Sequence, residues 1–189
     1  MVGEVLFIGK QQTFGLELGC GHEMAVHCMD QSDYEGADII WDLGYPVPDE
    51  LHGRFDFIYD GGCLDNMFNP AQAIMNFTRM LKPGGRLICL ESACSFSWAY
   101  VMYSPGWFND YFEANGFTDW SVHVCSFTNR ESMVRGPWKA YRYDPGRNRI
   151  GPAPPARKGG WVILAIAEKG ETTSFDVQPL QYQYRNLST

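Results

Sequence analysis

The chain has 189 residues and carries 22 acidic against 15 lysine and arginine side chains, a formal net charge of −7. Because a nucleic-acid-binding surface needs positive charge to neutralise phosphates, this balance argues against nucleic acid as a partner. Hydrophobic residues make up 45% of the chain and charged residues 20%, the composition of an ordinary globular protein. The length favours one domain with a substantial core.

Cysteine usage and hydropathy indicate the compartment. Six cysteines occur, and no two have the C-x-x-C spacing of a metal or redox site, so we expect no metal centre. No apolar run approaches the roughly 20 residues that a membrane helix needs, and no signal peptide precedes the first strand pattern. We therefore expect reduced thiols, a cytoplasmic location and no membrane partner.

Seven short apolar runs, bounded by glycine, proline or polar residues, predict strands. In chain order they are residues 5–8, 24–29, 38–41, 55–59, 86–90, 119–127 and 161–167. Apolar residues at helical spacing predict helices between several of them. The predicted helices are residues 14–18, 71–81 and 104–115.

The turn between the fourth and fifth predicted strands shows how these elements connect. Pro83 ends the intervening helix, and Gly84-Gly85 supplies the permissive backbone that returns the chain to the sheet. Two strands joined by a helix require parallel pairing with a right-handed crossover. The last two predicted strands have no helix between them and resemble a hairpin pair. The sequence thus predicts an α/β, Rossmann-like, doubly wound, seven-stranded and mostly parallel sheet whose last strand is antiparallel.

Two further segments complete the predicted organisation. Residues 136–160 are rich in glycine and proline and predict an excursion from the sheet. Residues 171–189 are polar and predict a surface tail, so we place the domain at residues 1–170.

Residues 55–62 read Phe-Asp-Phe-Ile-Tyr-Asp-Gly-Gly, and residues 69–91 contain the turn Leu-Lys-Pro-Gly-Gly before a buried strand. Both stretches resemble the central third of class I S-adenosylmethionine-dependent methyltransferases. Residues 30–48, with Tyr-Glu-Gly-Ala and Asp-Leu-Gly-Tyr-Pro-Val-Pro, resemble a bacterial subgroup of that family. The resemblance extends over roughly residues 3–170. It implies S-adenosylmethionine as cofactor and a small-molecule methyl acceptor.

The loop after the first strand departs from the family pattern, because Ile8-Gly9-Lys10-Gln11-Gln12-Thr13 keeps only the first of the usual glycines. A rival alignment uses Leu16-Glu17-Leu18-Gly19-Cys20-Gly21. A helix and a strand must fit before Asp30, which lies 21 positions after Gly9 but only 11 after Gly19. The crossover length favours Gly9.

Ligands of such sheets bind at the carboxyl ends of the strands. The resemblance implies that Asp30 accepts the ribose hydroxyls, that Asp42 approaches the adenine amino group and that the Leu43 N–H faces the ring. It places the loop after the fourth strand beside the sulfonium. The predicted cofactor-binding residues are Gly9, Lys10, Gln11, Asp30, Gln31, Asp42, Leu43, Asp60 and Gly61.

No catalytic residue is assigned. The subgroup carries Gly-Gly-Thr-Leu-Glu-His after the fourth strand, whereas this chain has Gly61-Gly62-Cys63-Leu64-Asp65-Asn66 and no histidine there. Methyl transfer depends largely on positioning the acceptor against an activated methyl group, so a base is not essential.

The acceptor side is predicted in residues 94–160. Its aromatic residues lie where such enzymes cover the substrate, and we assign Trp98 and Tyr103 to the substrate pocket, although core packing explains them equally well. Basic residues between 135 and 158 suggest an anionic acceptor, with a solvated loop as the alternative.

Two other functions compete. A non-catalytic relative could keep the fold and bind or scaffold, since fold alone does not fix function. A nicotinamide-dependent oxidoreductase is disfavoured because the chain lacks G-x-G-x-x-G.

Overall fold

The computed structural model describes residues 3–9, 24–33, 35–93, 99–146 and 159–187. Within these ranges eight strands form one sheet in the order β3-β2-β1-β4-β5-β8-β6-β7. The strands are β1 Gly3–Ile8, β2 Met24–Asp30, β3 Ile39–Ile40, β4 Phe55–Asp60, β5 Leu81–Ser92, β6 Asp119–Phe127, β7 Lys139–Arg142 and β8 Gly160–Glu168.

Three α-helices lie between the described strands. They are α1 Pro70–Met80, α2 Pro105–Ala114 and α3 Arg130–Arg135. Three short 3-10 helices, Asp49–Leu51, Leu64–Asn66 and Tyr182–Leu187, complete the described elements. The helix predicted at residues 14–18 lies outside the described residues. No helix in the part of the chain that the structure describes has both the length and the apolar character to cross a membrane.

The predicted doubly wound, mostly parallel sheet is confirmed. Strand β1 lies between β2 and β4 and is parallel to both, and β4 is parallel to β5. Strand β8 is antiparallel to β5 on one side and to β6 on the other, as predicted for the last strand. Consecutive parallel strands therefore end at one edge of the sheet, where their loops meet.

The strand count differs from the prediction, since the described sheet has eight strands rather than seven. The added strand, β7, lies within the predicted excursion and pairs antiparallel with β6 at the sheet edge. Three of its four residues are exposed. An edge strand that buries neither face needs no apolar alternation, and so it gave no periodic signal.

The core explains why the first strand is an unbroken apolar run. Residues Val5, Leu6, Phe7 and Ile8 are all buried. Leu6 and Ile8 join the main core, and Val5 and Phe7 pack with Tyr59 in a second cluster on the opposite face. A central parallel strand is covered on both faces, which demands apolar residues at successive positions.

Lys169 holds the predicted glycine turn in place. The backbone of Lys169 accepts from Gly84 N–H at 2.6 Å and donates to the Gly85 carbonyl at 2.9 Å. Gly84 has φ +78°, and a Cβ on Gly85 would lie 2.8 Å from the carbonyl oxygen of Lys82, so both positions require glycine. The Lys169 Nζ donates to the carbonyls of Thr78 and Leu81, each at 2.7 Å. The side chain thereby satisfies carbonyls at the end of α1.

We expect Lys169→Met to lower the free energy of unfolding by about 1–3 kcal/mol, the cost of leaving buried carbonyls without a partner. The matched control is Lys82→Met, which removes a surface ion pair to Asp56 and should cost less than about 1 kcal/mol. Urea unfolding at pH 7 measures both. Equal losses would show that the Lys169 ammonium group does not stabilise the end of α1.

The described part of the predicted tail is hydrogen-bonded to α2 and the residue that follows it. The Asn115 side chain donates to the carbonyl of Val177 at 3.1 Å and accepts from its N–H at 3.0 Å. The Arg185 guanidinium forms an ion pair with Asp110 at 2.9 Å. This segment is therefore a strap across the helix surface, and the domain boundary at residue 170 stays a prediction.

Candidate functional site

The carboxyl ends of β1, β2 and β4 meet around Gly9. Ile8 is in register with Met29 on one side and with Asp60 on the other. The Gly9 N–H donates to the Met29 carbonyl at 2.8 Å, and Gly9 adopts a φ of +71°. A side chain there would be strained and would approach Cys63 Sγ to 3.0 Å. Gly9 and Asp30 thus lie side by side at the ends of β1 and β2.

A cavity of about 640 Å³ opens at this edge of the sheet. Its wall comes from the segments that follow β1, β2, β3 and β4, together with Tyr100 beyond β5. Five of the predicted cofactor-binding residues line it: Gly9, Asp30, Gln31, Asp42 and Leu43. Residues separated by more than 30 positions in sequence therefore face one space, at the place where sheets of this kind bind ligands.

The remaining predicted residues are not on the described wall. Lys10, Gln11 and Trp98 lie outside the described residues. Asp60 is fully buried, and neither it nor Gly61 is among the lining residues. Contact of these residues with a cofactor stays a prediction.

Tyr103 is also buried, with 4% of its surface exposed. Its hydroxyl donates to the Leu64 carbonyl at 3.0 Å, and its ring packs against Trp107 with centroids 4.8 Å apart. The ring thus has the core-packing role that the sequence left open. Its assignment to the substrate pocket stays a prediction that requires the ring to become accessible.

Gln31 links the two carboxylates on the cavity wall. Its N–H donates to Asp30 Oδ1 at 2.6 Å, and its Nε2 donates to Asp42 Oδ2 at 3.3 Å. Asp42 Oδ1 also accepts from Gly44 N–H at 2.8 Å. Carboxylates held in this way have lone pairs left to accept hydroxyl or amino protons from a ligand.

A buried asparagine, which the sequence did not single out, holds the wall formed by residues 43–47. Asn76 of α1 is fully buried. Its Nδ2 donates to the carbonyls of Leu43 at 3.0 Å and Tyr45 at 2.8 Å, and its Oδ1 accepts from Val47 N–H at 3.2 Å. The position of Leu43 and Tyr45 in the cavity wall therefore depends on one side chain.

Three buried carboxyl groups cluster around the loop that follows β4: Asp60 at the end of β4, Asp65 in the 3-10 helix, and Glu91 near the end of β5. Asp60 accepts from the N–H groups of Cys63 and Leu64 at 2.9 and 3.3 Å. Glu91 Oε2 accepts from Asp65 N–H at 3.0 Å, and the Ser92 hydroxyl donates to Asp65. These bonds fix the loop between β4 and α1, which forms part of the cavity wall.

Burial controls the protonation of this cluster. Burial raises the pKa of Asp60 to about 6, and it raises the pKa of Glu91 well above its ordinary value, where the neighbouring Asp60 carboxylate raises it further. Glu91 Oε1 and Asp65 Oδ1 have no hydrogen-bond partner among the described residues. A proton retained on Glu91 at neutral pH avoids placing adjacent buried negative charges.

Apart from the Asp30 and Asp42 carboxylates, the described part of the cavity wall presents no general base. Cys63 lines it, but burial raises the pKa of its thiol above the ordinary range, so it stays protonated and donates to the Ile8 carbonyl at 3.3 Å. No histidine, lysine or arginine is among the lining residues that the structure describes. The described wall can orient a ligand and accept hydrogen bonds from it through Asp30 and Asp42.

Solved structures share this architecture. A Thermotoga maritima S-adenosylmethionine-dependent methyltransferase, described as a possible histamine N-methyltransferase, superposes with a TM-score of 0.58 at 16% identity, over 88% of this chain and 83% of its own. A Haemonchus contortus phosphoethanolamine N-methyltransferase, solved with S-adenosylhomocysteine, gives a TM-score of 0.57 at 14% identity, over 89% of this chain. The fold is that of class I methyltransferases.

The methyltransferase fold alone does not determine the reaction. The [4+2]-cyclase SpnF also superposes, with a TM-score of 0.55 at 16% identity, over 89% of this chain and 75% of its own. The chain spans only 49% of the Haemonchus enzyme. No protein-family model and no curated protein matches the sequence. Function must therefore be argued from the cavity.

Proposed function

We propose that this chain binds S-adenosylmethionine in the cavity at the carboxyl ends of β1, β2 and β3 and catalyses methyl transfer to a small-molecule acceptor. The observation that carries the proposal is the convergence of Gly9, Asp30 and Asp42 on one cavity from three different strand ends. The solved methyltransferases of the same fold support it.

The wall residues fit this cofactor chemically. The cavity volume of about 640 Å³ lies within the usual range for small-ligand sites. Asp30 supplies a carboxylate for paired hydroxyl protons, and Asp42 supplies one for an amino group. Gly9 leaves room for close approach of the backbone. Together they would hold the ribose, the adenine and the amino-acid end of S-adenosylmethionine.

When bound, this cofactor supplies a methyl group that is activated by a positively charged sulfur. The chain's own contribution is positioning, since it would hold the acceptor nucleophile in line with that methyl group and exclude water. The anionic acceptor that the sequence suggested is not part of this proposal.

We expect Asp30→Ala to weaken S-adenosylmethionine binding by about 1.5–3 kcal/mol, because hydrogen bonds to a charged acceptor would be lost. Asp33→Ala removes an exposed carboxylate three residues away, is not on the cavity wall, and serves as the control. Calorimetric titration measures all three proteins. If wild type fails to bind at millimolar cofactor, the non-catalytic alternative replaces this proposal. Equal binding by wild type and Asp30→Ala would show that the assignment to the end of β2 is wrong.

A further inference from the structure

Two aromatic side chains stand in solvent at the mouth of the cavity. Phe68 is 93% exposed and Tyr100 is 73% exposed, and both line the cavity. Their ring centroids are 6.3 Å apart with an interplanar angle of 82°, so each ring keeps an open face. An apolar ring in water loses the stabilisation that burial would provide. Exposed aromatic rings beside a cavity therefore indicate a surface that a ligand covers.

The backbone beneath these rings is ordered, so their exposure is not caused by fraying. Both Tyr100 N–H and Val101 N–H donate to the Asp65 carbonyl, at 2.8 and 3.1 Å. Met67 N–H donates to the Leu64 carbonyl at 3.2 Å, and Asn69 caps α1 directly after Phe68. The same 3-10 helix, Leu64–Asn66, thus anchors both aromatic positions. Rigid rings lose little conformational entropy when a ligand packs on them.

The charge of the described wall is entirely negative. Asp30 and Asp42 line the cavity, with no basic side chain among the described lining residues. Of the basic residues that suggested an anionic acceptor, none that the structure describes lines this cavity. Arg142 lies on the edge strand β7 and lines a different cavity, and Arg147 and Arg157 lie outside the described residues. A wall of this charge repels anions and tolerates neutral or cationic molecules.

We propose that the acceptor carries a planar aromatic ring and no negative charge, and that this ring packs on Phe68 and Tyr100 at the cavity mouth. That the ligand is a methyl acceptor rests on the proposed function. The aromatic binding site itself rests on the exposed rings and the charge of the wall. Offset or edge-to-face packing against two aromatic side chains would orient the ring toward the cavity.

The test uses four probes: neutral indole, cationic tryptamine, anionic indole-3-acetate and non-aromatic cyclohexanemethanol. Each is titrated by calorimetry into the full chain, with and without saturating S-adenosylhomocysteine. We expect indole and tryptamine to bind, and indole-3-acetate and cyclohexanemethanol to bind about tenfold more weakly or not at all. Phe68→Ala should weaken indole binding about tenfold, and Phe68→Tyr should retain it, because the stacking surface is kept.

Tyr184→Ala is the matched control, because Tyr184 is 48% exposed and lines none of the described cavities. It should bind the probes like wild type. Equal binding of indole-3-acetate and tryptamine, or full indole binding by Phe68→Ala, overturns the inference. So does self-association of the wild type that Phe68→Ala abolishes while no probe binds, because the rings would then form a protein contact.

The two proposals fail separately. If S-adenosylhomocysteine binds and no aromatic probe does, the aromatic acceptor is wrong and the proposed function stands. If S-adenosylhomocysteine fails to bind but indole binds in a manner that depends on Phe68, the aromatic site stands and methyl transfer is wrong. Failure of both ligands overturns both.

Discussion

Replacing Asn76 with alanine should lower the free energy of unfolding by about 3–5 kcal/mol. The substitution leaves the carbonyls of Leu43 and Tyr45 and the N–H of Val47 without their partner. Each buried main-chain group left unsatisfied costs about 1–3 kcal/mol, and partial access of water to the loop reduces the sum. Because Leu43 and Tyr45 line the cavity, S-adenosylmethionine binding should weaken as well.

The control for this prediction lies one helical turn away. Gln72 Nε2 donates to Asn76 Oδ1 at 3.0 Å, so Gln72→Ala removes one bond of Asn76 and leaves its three main-chain bonds intact. It should cost less than about 1 kcal/mol. Urea unfolding gives the stabilities, and cofactor titration at low temperature gives the binding of the folded fraction. If the two variants lost equal stability, Asn76 would be an ordinary core residue rather than the support of residues 43–47.

Stability should fall as pH rises from 5 to 8, because the folded state keeps protons that the unfolded chain has lost. Burial raises the pKa of Asp60 from 3.8 to about 6, so the protonated form of Asp60 is stabilised by folding. That contribution is fully present below pH 4 and is lost as the pH passes through about 6. The raised pKa of Glu91 extends the decline to higher pH.

Glu91→Gln tests the origin of this decline. The amide has the shape of the protonated acid, can still accept from Asp65 N–H, and never ionises, so it should be more stable than wild type at pH 8 and should flatten the pH profile. Asp119→Asn removes an exposed carboxyl group instead and should retain the wild-type profile. Denaturant unfolding across the pH range measures all three. A Glu91→Gln profile as steep as that of wild type would place the responsible groups elsewhere.

The central fold could be predicted because its signals are local. Strands β1, β4 and β8 are apolar runs that the sheet buries, and α1 places its apolar residues on one face. The predicted sixth strand, residues 119–127, matches β6 at both ends. The fifth strand was predicted too short, at residues 86–90, because β5 begins at Leu81 and includes the glycine turn. The register of β5 with β4 is irregular at this turn.

The site was less predictable, because its features depend on distant contacts. Asp30 and Asp42 could be placed at strand ends from the chain alone. Glu91 follows an apolar run, as an exposed strand end does, and only the folded chain brings it to Asp60 and Asp65. Asn76 is one of two buried polar residues of α1, and its partners lie about 30 positions upstream. Phe68 gave no signal, since exposure cannot be read from periodicity.

The position of β8 has a consequence for how the chain folds. It lies between β5 and β6 and provides the described pairing partners of both on that side, so the paired strands β6 and β7 join the rest of the described sheet only through it. A nascent chain that has not yet released residues 160–168 from the ribosome can pair β1, β2, β4 and β5, but it leaves the β5 edge open. An open edge is prone to intermolecular pairing, and closing it needs contacts between residues 70 or more positions apart, which slows folding. We therefore expect the last step of folding to be the insertion of β8 between β5 and β6. Aggregation should compete with folding at that step.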